Sequence, residues 1–128
     1  MDDHRVQSYR DLRVWQEAMT LAEMCYHLTK TFPKEEAYGM TSQIRRAAAS
    51  VPANIAEGYG RESRAEYIRF LQIAQGYLKE VETHLILSER VGLAQGEAVA
   101  EALKQCETVG KMLRSLIRSL QGRMGNRE

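Results

Sequence analysis

The sequence predicts an all-α protein, an antiparallel up-down-up-down four-helix bundle whose second helix is kinked at Pro52. Three observations lead there. Apolar residues recur at three- and four-residue spacing in four separate segments, the pattern of helices that bury one face. Only 2 prolines interrupt the 128 residues. The connections between segments are short, and short connections make successive helices antiparallel neighbours. No alternating pattern competes as a strand. A chain of this length suits one domain spanning residues 1–128, with the bundle over about 9–120 and tails outside it.

The first helix is expected from about Asp11 to Thr31. One apolar row is Val14, Ala18, Leu21, Cys25, Leu28 and Phe32; a second is Leu12, Trp15, Met19, Ala22 and Tyr26. Together they cover roughly 200° of the helical wheel, wider than one core needs, which points to a second partner surface. Pro33 is expected to end this helix, because it lacks an amide donor. The second helix is expected from about Met40 to Glu57. Pro52 inside it removes the hydrogen bond to the Ala48 carbonyl, and Asn54 is placed to satisfy backbone groups freed there. Ala47, Ala48, Ala49, Ala53 and Ala56 favour helix and close approach by a neighbour. Gly58 and Gly60 are read as its stop.

Ser63 and Glu66 have the spacing of a capping box, opening a third helix that runs to about Arg90. Its expected core stripe is Tyr67, Phe70, Leu71, Ala74, Tyr77, Leu78, Val81 and Leu85. Ile68 and Ile86 fall outside the stripe and suggest a subunit contact. Gly92 and Leu93 read as a Schellman stop. The fourth helix is expected from about Glu97 to Leu120, burying Val99, Ala102, Leu103, Cys106, Val109, Leu113, Leu116, Ile117 and Leu120. Gln121–Glu128 reads as a frayed tail, with Gly122 as the helix stop.

The net charge is +1, from 18 basic and 17 acidic residues, so the whole molecule has no strong nucleic-acid signature. Its distribution is uneven. Glu80–Glu107 holds six acids and two bases, whereas Thr108–Arg127 holds five bases and no acid. Cys25 and Cys106 sit in apolar helical patterns and read as buried free thiols. No apolar run reaches membrane-spanning length and no signal-peptide pattern opens the chain, so the expected location is the cytoplasm.

Two arginine-rich sets are the candidate binding residues. Lys111, Arg114 and Arg118 share one face of the fourth helix, with Arg123 and Arg127 following, and form a plausible phosphate track. The same bases also suit a solvated helix C-terminus. Arg45, Arg46, Arg61, Arg64 and Arg69 form the second set, around the proline and the turn that follows. Arginine favours the planar bidentate partners that phosphate and carboxylate supply. Glu57, Glu62 and Glu66 lie close enough to make this set a salt-bridge network instead, with Glu57–Arg61 spaced for an ion pair. Tyr59 and Tyr67 are candidates for stacking on bases, although Tyr67 also reads as core. Glu23…His27 and Glu80…His84 lack the Glu-x-x-His motif of di-iron bundles, and His4 stands in the N-terminal tail. No cofactor, metal or catalytic residue is assigned.

Order and spacing of several short motifs carry a resemblance over about Tyr9–Leu120. They are Asp11-Leu12-x-Val14-Trp15-Gln16, Leu28-Thr29-x-x-Phe32-Pro33, Tyr38-Gly39 and Gln43-x-Arg45-Arg46-Ala47-Ala48. Ser50-x-Pro52-x-Asn54-Ile55-Ala56-Glu57-Gly58-x-Gly60-Arg61, Glu66-Tyr67 and Phe70-Leu71-x-Ile73-Ala74 follow. The chain resembles the four-helix bundle family associated with 23S rRNA intervening sequences, also called S23 ribosomal protein-like. The resemblance implies a homopentamer. It also extends to accessory proteins of diversity-generating retroelements, whose basic pentamers bind nucleic acid and a reverse transcriptase; this chain is nearly neutral by comparison. Two function classes lead, ahead of a third, a metal-dependent enzyme in the bundle core, that only the two Glu/His pairs motivate. One is a non-enzymatic homo-oligomer that binds RNA or DNA through the basic sets. The other is a protein-interaction scaffold with no direct nucleic-acid binding.

Overall fold

The computed structural model describes residues 6–127, with side chains through residue 122. Four helices make up the bundle: α1 (Arg13–Thr29), α2 (Met40–Tyr59), α3 (Arg64–Arg90) and α4 (Gly96–Arg127). Each packs on its neighbours in sequence, and α1 meets α4 to close the ring, while the diagonal pairs have no Cα atoms within 8 Å of each other among the described residues. The core is continuous. Leu21, Ile44, Ile55, Leu71, Leu78, Leu85 and Leu113 are its largest fully buried side chains, with Cys25 and Cys106 beside them. His4 and the side chains of Arg123 and Arg127 lie outside the described residues.

The chain enters α1 differently from the sequence expectation. A single 3₁₀ turn, Tyr9–Asp11, comes first, and extended backbone at Leu12 separates it from α1. Ser8 caps this turn, and Asp11 Oδ2 accepts from the Gln7 and Ser8 amides at 3.0 and 3.2 Å. The capping box therefore forms here. At Ser63 only half of it does: the Glu66 amide donates to Ser63 Oγ at 3.1 Å. Helix α1 ends at Thr29, before Pro33 can stop it, and Pro33 instead opens a short 3₁₀ turn, Lys34–Glu36. The first apolar row of α1 is the core row, with Val14, Ala18, Leu21 and Cys25 buried. In the second row Trp15 and Met19 are half-buried and Tyr26 is exposed.

Helix α2 passes through both Pro52 and Gly58, each of which is buried. Ser50 Oγ donates to the Arg46 carbonyl and Asn54 Nδ2 to the Ser50 carbonyl, each at 2.8 Å, so side chains reinforce the backbone on both sides of the proline. Gly58 does not stop the helix. A Cβ there would stand 2.8 Å from Phe70 Cβ and 3.2 Å from Tyr67 Cδ1, so the glycine lets α2 and α3 touch along their backbones. Gly60 has ordinary right-handed dihedrals.

The buried arc of α3 is rotated from the expected one. Ile68, Leu71, Ala74, Leu78, Val81, Leu85 and Ser88 are buried, while Tyr67, Phe70 and Tyr77 lie half-buried at its rim. Close approach at Gly58 leaves no room beneath α2 for whole aromatic rings, and Ile68 takes the interior place. The exposed apolar residues at the far end are Ile86, Leu87 and Val91. The Schellman stop forms: Gly92 has φ 82°, and the Leu93 amide donates to the Ser88 carbonyl at 2.8 Å. Helix α4 does not fray after Leu120. It continues through Gly122 to Arg127, since a helical glycine costs only about 1 kcal/mol and no helix-terminating dihedral occurs there. Gln105 Nε2 ties α4 to α1, donating to the Glu17 carbonyl and carboxylate at 2.9 and 2.8 Å.

Candidate nucleic-acid interface

The candidate cations fall into three environments. Arg45 is half-buried and engaged within the fold. Its Nε donates to Thr29 Oγ1 at 2.8 Å, a terminal nitrogen donates to the Tyr26 carbonyl at 3.4 Å, and its guanidinium lies 4.6 Å from the Tyr26 ring centroid. Arg45 thus places a cation against the carbonyl end of α1, where the helix dipole favours one. Arg46 is exposed. It lies roughly 20 Å from the C-terminal end of α2 at 1.5 Å per residue.

The second group surrounds the α2–α3 turn. Arg61 donates to Glu57 Oε2 at 2.7 Å, the expected ion pair. Both partners are exposed, so the pair contributes little and leaves the cation available. Arg61 and Arg69 both lie over the Phe70 ring, 4.6 and 5.4 Å from its centroid. Arg64 is half-buried at the first turn of α3. Tyr59 and Tyr67 meet edge to face with centroids 6.0 Å apart. Burial, and then the neighbouring Tyr59, push the Tyr67 hydroxyl up to about 12, so it stays protonated.

The third group lies on α4. Lys111 stands 3.9 Å from Glu107, both exposed. Arg114 and Arg118 are exposed and take part in none of the ion pairs among the described residues. Packing sets the register. Leu78 of α3 faces Gly110 of α4, and Phe70 of α3 faces Gly58 of α2. Arg118 lies two turns beyond Gly110, and Phe70 two turns before Leu78. The antiparallel fold therefore brings Arg118 to the end of the bundle that holds Arg61, Arg64 and Arg69, while the Arg114 guanidinium turns back beside Gly110. Arg45 and Arg46 are left nearer the opposite end. The sequence placed these residues in two sets, and the fold regroups them.

Other chemistry finds little support. Burial pushes the thiols of Cys25 and Cys106 to about 12, which keeps both protonated and unreactive. Among the described residues no group of three or more His, Cys, Asp or Glu could hold a metal. His84 Nδ1 and Ser88 Oγ, one turn apart on α3, are buried without partners. An apolar groove of about 470 Å³ runs between α1 and α2, lined by Met19, Ala22, Tyr26 and Pro52 among others. No helix among the described residues is long and apolar enough to cross a membrane.

The family model for 23S rRNA-intervening sequence proteins matches residues 10–115. The chain belongs to that family. A solved structure superimposes on this intervening-sequence protein with a TM-score of 0.76 and 29% identity, covering 82% of this chain and 95% of the other. It is described as a protein of unknown function from the S23 ribosomal protein family of Bacteroides thetaiotaomicron. No curated protein matches. Both findings fit the four helices seen here, and neither brings a catalytic assignment.

Proposed function

We propose that this intervening-sequence protein is a non-enzymatic, cytoplasmic, self-associating bundle that binds RNA or DNA through its basic end. One observation carries the reading: three separate segments deliver Arg61, Arg64, Arg69 and Arg118 to the same end of a nearly neutral molecule, with Arg114 further along α4 on its flank. A local cluster of this kind attracts polyanions whatever the net charge. The arginines there are exposed or half-buried, and the one carboxylate pairing among them is a surface pair. The test is retention of labelled single-stranded RNA and DNA by the purified protein across a salt series. Binding should weaken steeply with salt, and an Arg61/Arg64/Arg114/Arg118→Ala variant should lose at least tenfold at low salt. Equal affinity in wild type and variant would sink the assignment.

A second observation supports the self-association and also the alternative reading, a scaffold without nucleic acid. The outer row of α1 leaves Trp15 and Met19 half-covered and Tyr26 exposed, beside the groove between α1 and α2. A second copy covering that face would account for the over-wide apolar arc, in an assembly the resemblance puts at five copies. Light scattering at micromolar concentration tests it, and a monomer there would count against both readings.

A further inference from the structure

Two grooves flank α3 and meet across it. One, of about 370 Å³, lies between α3 and α4 and is lined by Gln75, Gly76, Lys79, Gly110 and Arg114 among others. The other, of about 390 Å³, lies towards α2 and shares Gly76 and Lys79, adding Gln43, Thr83 and His84. Gly76 is therefore the saddle between them. It sits in the interior of α3, exposed, with ordinary helical backbone. A Cβ there would meet nothing within 4 Å. Glycine is the least favourable residue for a helix interior after proline. Neither a turn, nor a positive φ, nor a packed neighbour within this chain calls for it.

What the glycine provides is a low crossing point for something outside the chain. Its surroundings select the chemistry. Arg114 lies along the first groove, with a terminal nitrogen only 3.5 Å from where a Gly110 Cβ would stand, and it has no carboxylate partner among the described residues. Lys79 is itself exposed and pairs at 3.2 Å with Glu82, whose side chain is only 25% exposed. Glu80 lines the second groove, and the Glu82 carboxylate bound to Lys79 lines neither, so an anion belongs nearest Arg114, on the α4 side. None of the exposed large apolar side chains, Val6, Tyr26, Tyr38, Ile86, Leu87 and Val91, lines either groove. A docked protein helix would want such residues at its centre. A short groove that carries two cations is the kind of channel that tracks one strand's backbone.

We propose that a single-stranded polynucleotide crosses α3 at Gly76, with a phosphodiester seated between Arg114 and Lys79. The proposal rests on the nucleic-acid reading above and gives it a path. The test measures binding of fluorescent single-stranded RNA and DNA oligonucleotides, in separate arms, to wild type, Gly76→Leu and Arg114→Ala over a salt series. Gly76→Leu should bind about tenfold more weakly while its helical circular dichroism and melting are maintained or improved. Arg114→Ala should weaken binding to a similar degree. It should also lower the slope of log affinity against log salt by about 0.7, the value for one phosphate contact on a single strand. Stronger binding in one arm identifies which polymer uses the path. Wild-type binding that both variants leave unchanged would overturn the crossing alone. No binding by wild type would overturn it together with the reading it rests on. A Gly76→Leu variant that keeps its affinity but changes its sedimenting mass would overturn it in favour of a second copy of the chain.

Discussion

The joint between α2 and α3 and the exposed middle of α3 each carry a glycine inside a regular helix. At Gly58 a Cβ would collide with Phe70 Cβ at 2.8 Å, and at Gly76 it would meet nothing. The first glycine is explained by the fold and the second is not. The arginines divide in the same way. Arg45 is hydrogen-bonded to Thr29 and stacked on Tyr26, whereas Arg114 has no carboxylate partner among the described residues. A residue satisfied internally contributes to stability. A residue that costs stability, or leaves its charge unmet, is a better guide to what the protein binds.

The largest expected effect is at the joint. Gly58→Val should lower the unfolding free energy by about 3 kcal/mol, measured by urea denaturation. The contacting atom is Phe70 Cβ, fixed to the α3 backbone, so no side chain can swing clear. Valine's better helix propensity returns only about 0.5 kcal/mol, so overpacking wins. A loss below 1 kcal/mol would show that α2 and α3 can part without cost, and the contrast with Gly76 would collapse.

Arg45→Ala comes next, at about 1–2 kcal/mol, from two charged hydrogen bonds, the one to the Tyr26 carbonyl long at 3.4 Å, and one cation–π contact. Thr29 Oγ1 still donates to the Cys25 carbonyl in the variant, which keeps the loss from growing larger. A double-mutant cycle with Thr29→Val should give a coupling of about 1 kcal/mol. Zero coupling, or oligonucleotide binding lost beyond the loss of fold, would move Arg45 from the internal group to the binding group.

The fold was largely legible in the sequence, because helix periodicity, Gly92 and the short connections each report on local physics. Four helices, their order and the Schellman stop follow from residues a few positions apart. The errors arose where distant segments meet. Gly58 looked like a stop because nothing local reveals Phe70 beneath it. Ile68 looked exposed because the depth of the α2–α3 joint decides which arc of α3 is inside. Ser8, a sound cap in its own right, went unread because Leu12 breaks the helix just after it. The candidate interface was legible as a list of arginines but not as a place, since register between α3 and α4 sets which of them share an end. Gly76 was visible all along as a glycine inside a helical pattern. Its meaning needed the grooves on either side.

Gly76→Ala has the smallest expected effect and the most pointed one. It should raise the unfolding free energy by about 1 kcal/mol, the difference between alanine and glycine at an exposed helix interior. Nothing in the fold opposes the gain, because the added methyl group enters open space. The midpoint of urea unfolding should rise with its slope unchanged, since neither state changes its exposed surface appreciably. A fall in stability would mean that the isolated chain needs the glycine, and the crossing would lose its argument. A rise would mean that α3 carries a removable cost at the one point where both flanking grooves meet. A fold above its stability threshold tolerates such a cost, so the gain marks where the cost lies and the oligonucleotide affinity of the same variant decides what it serves.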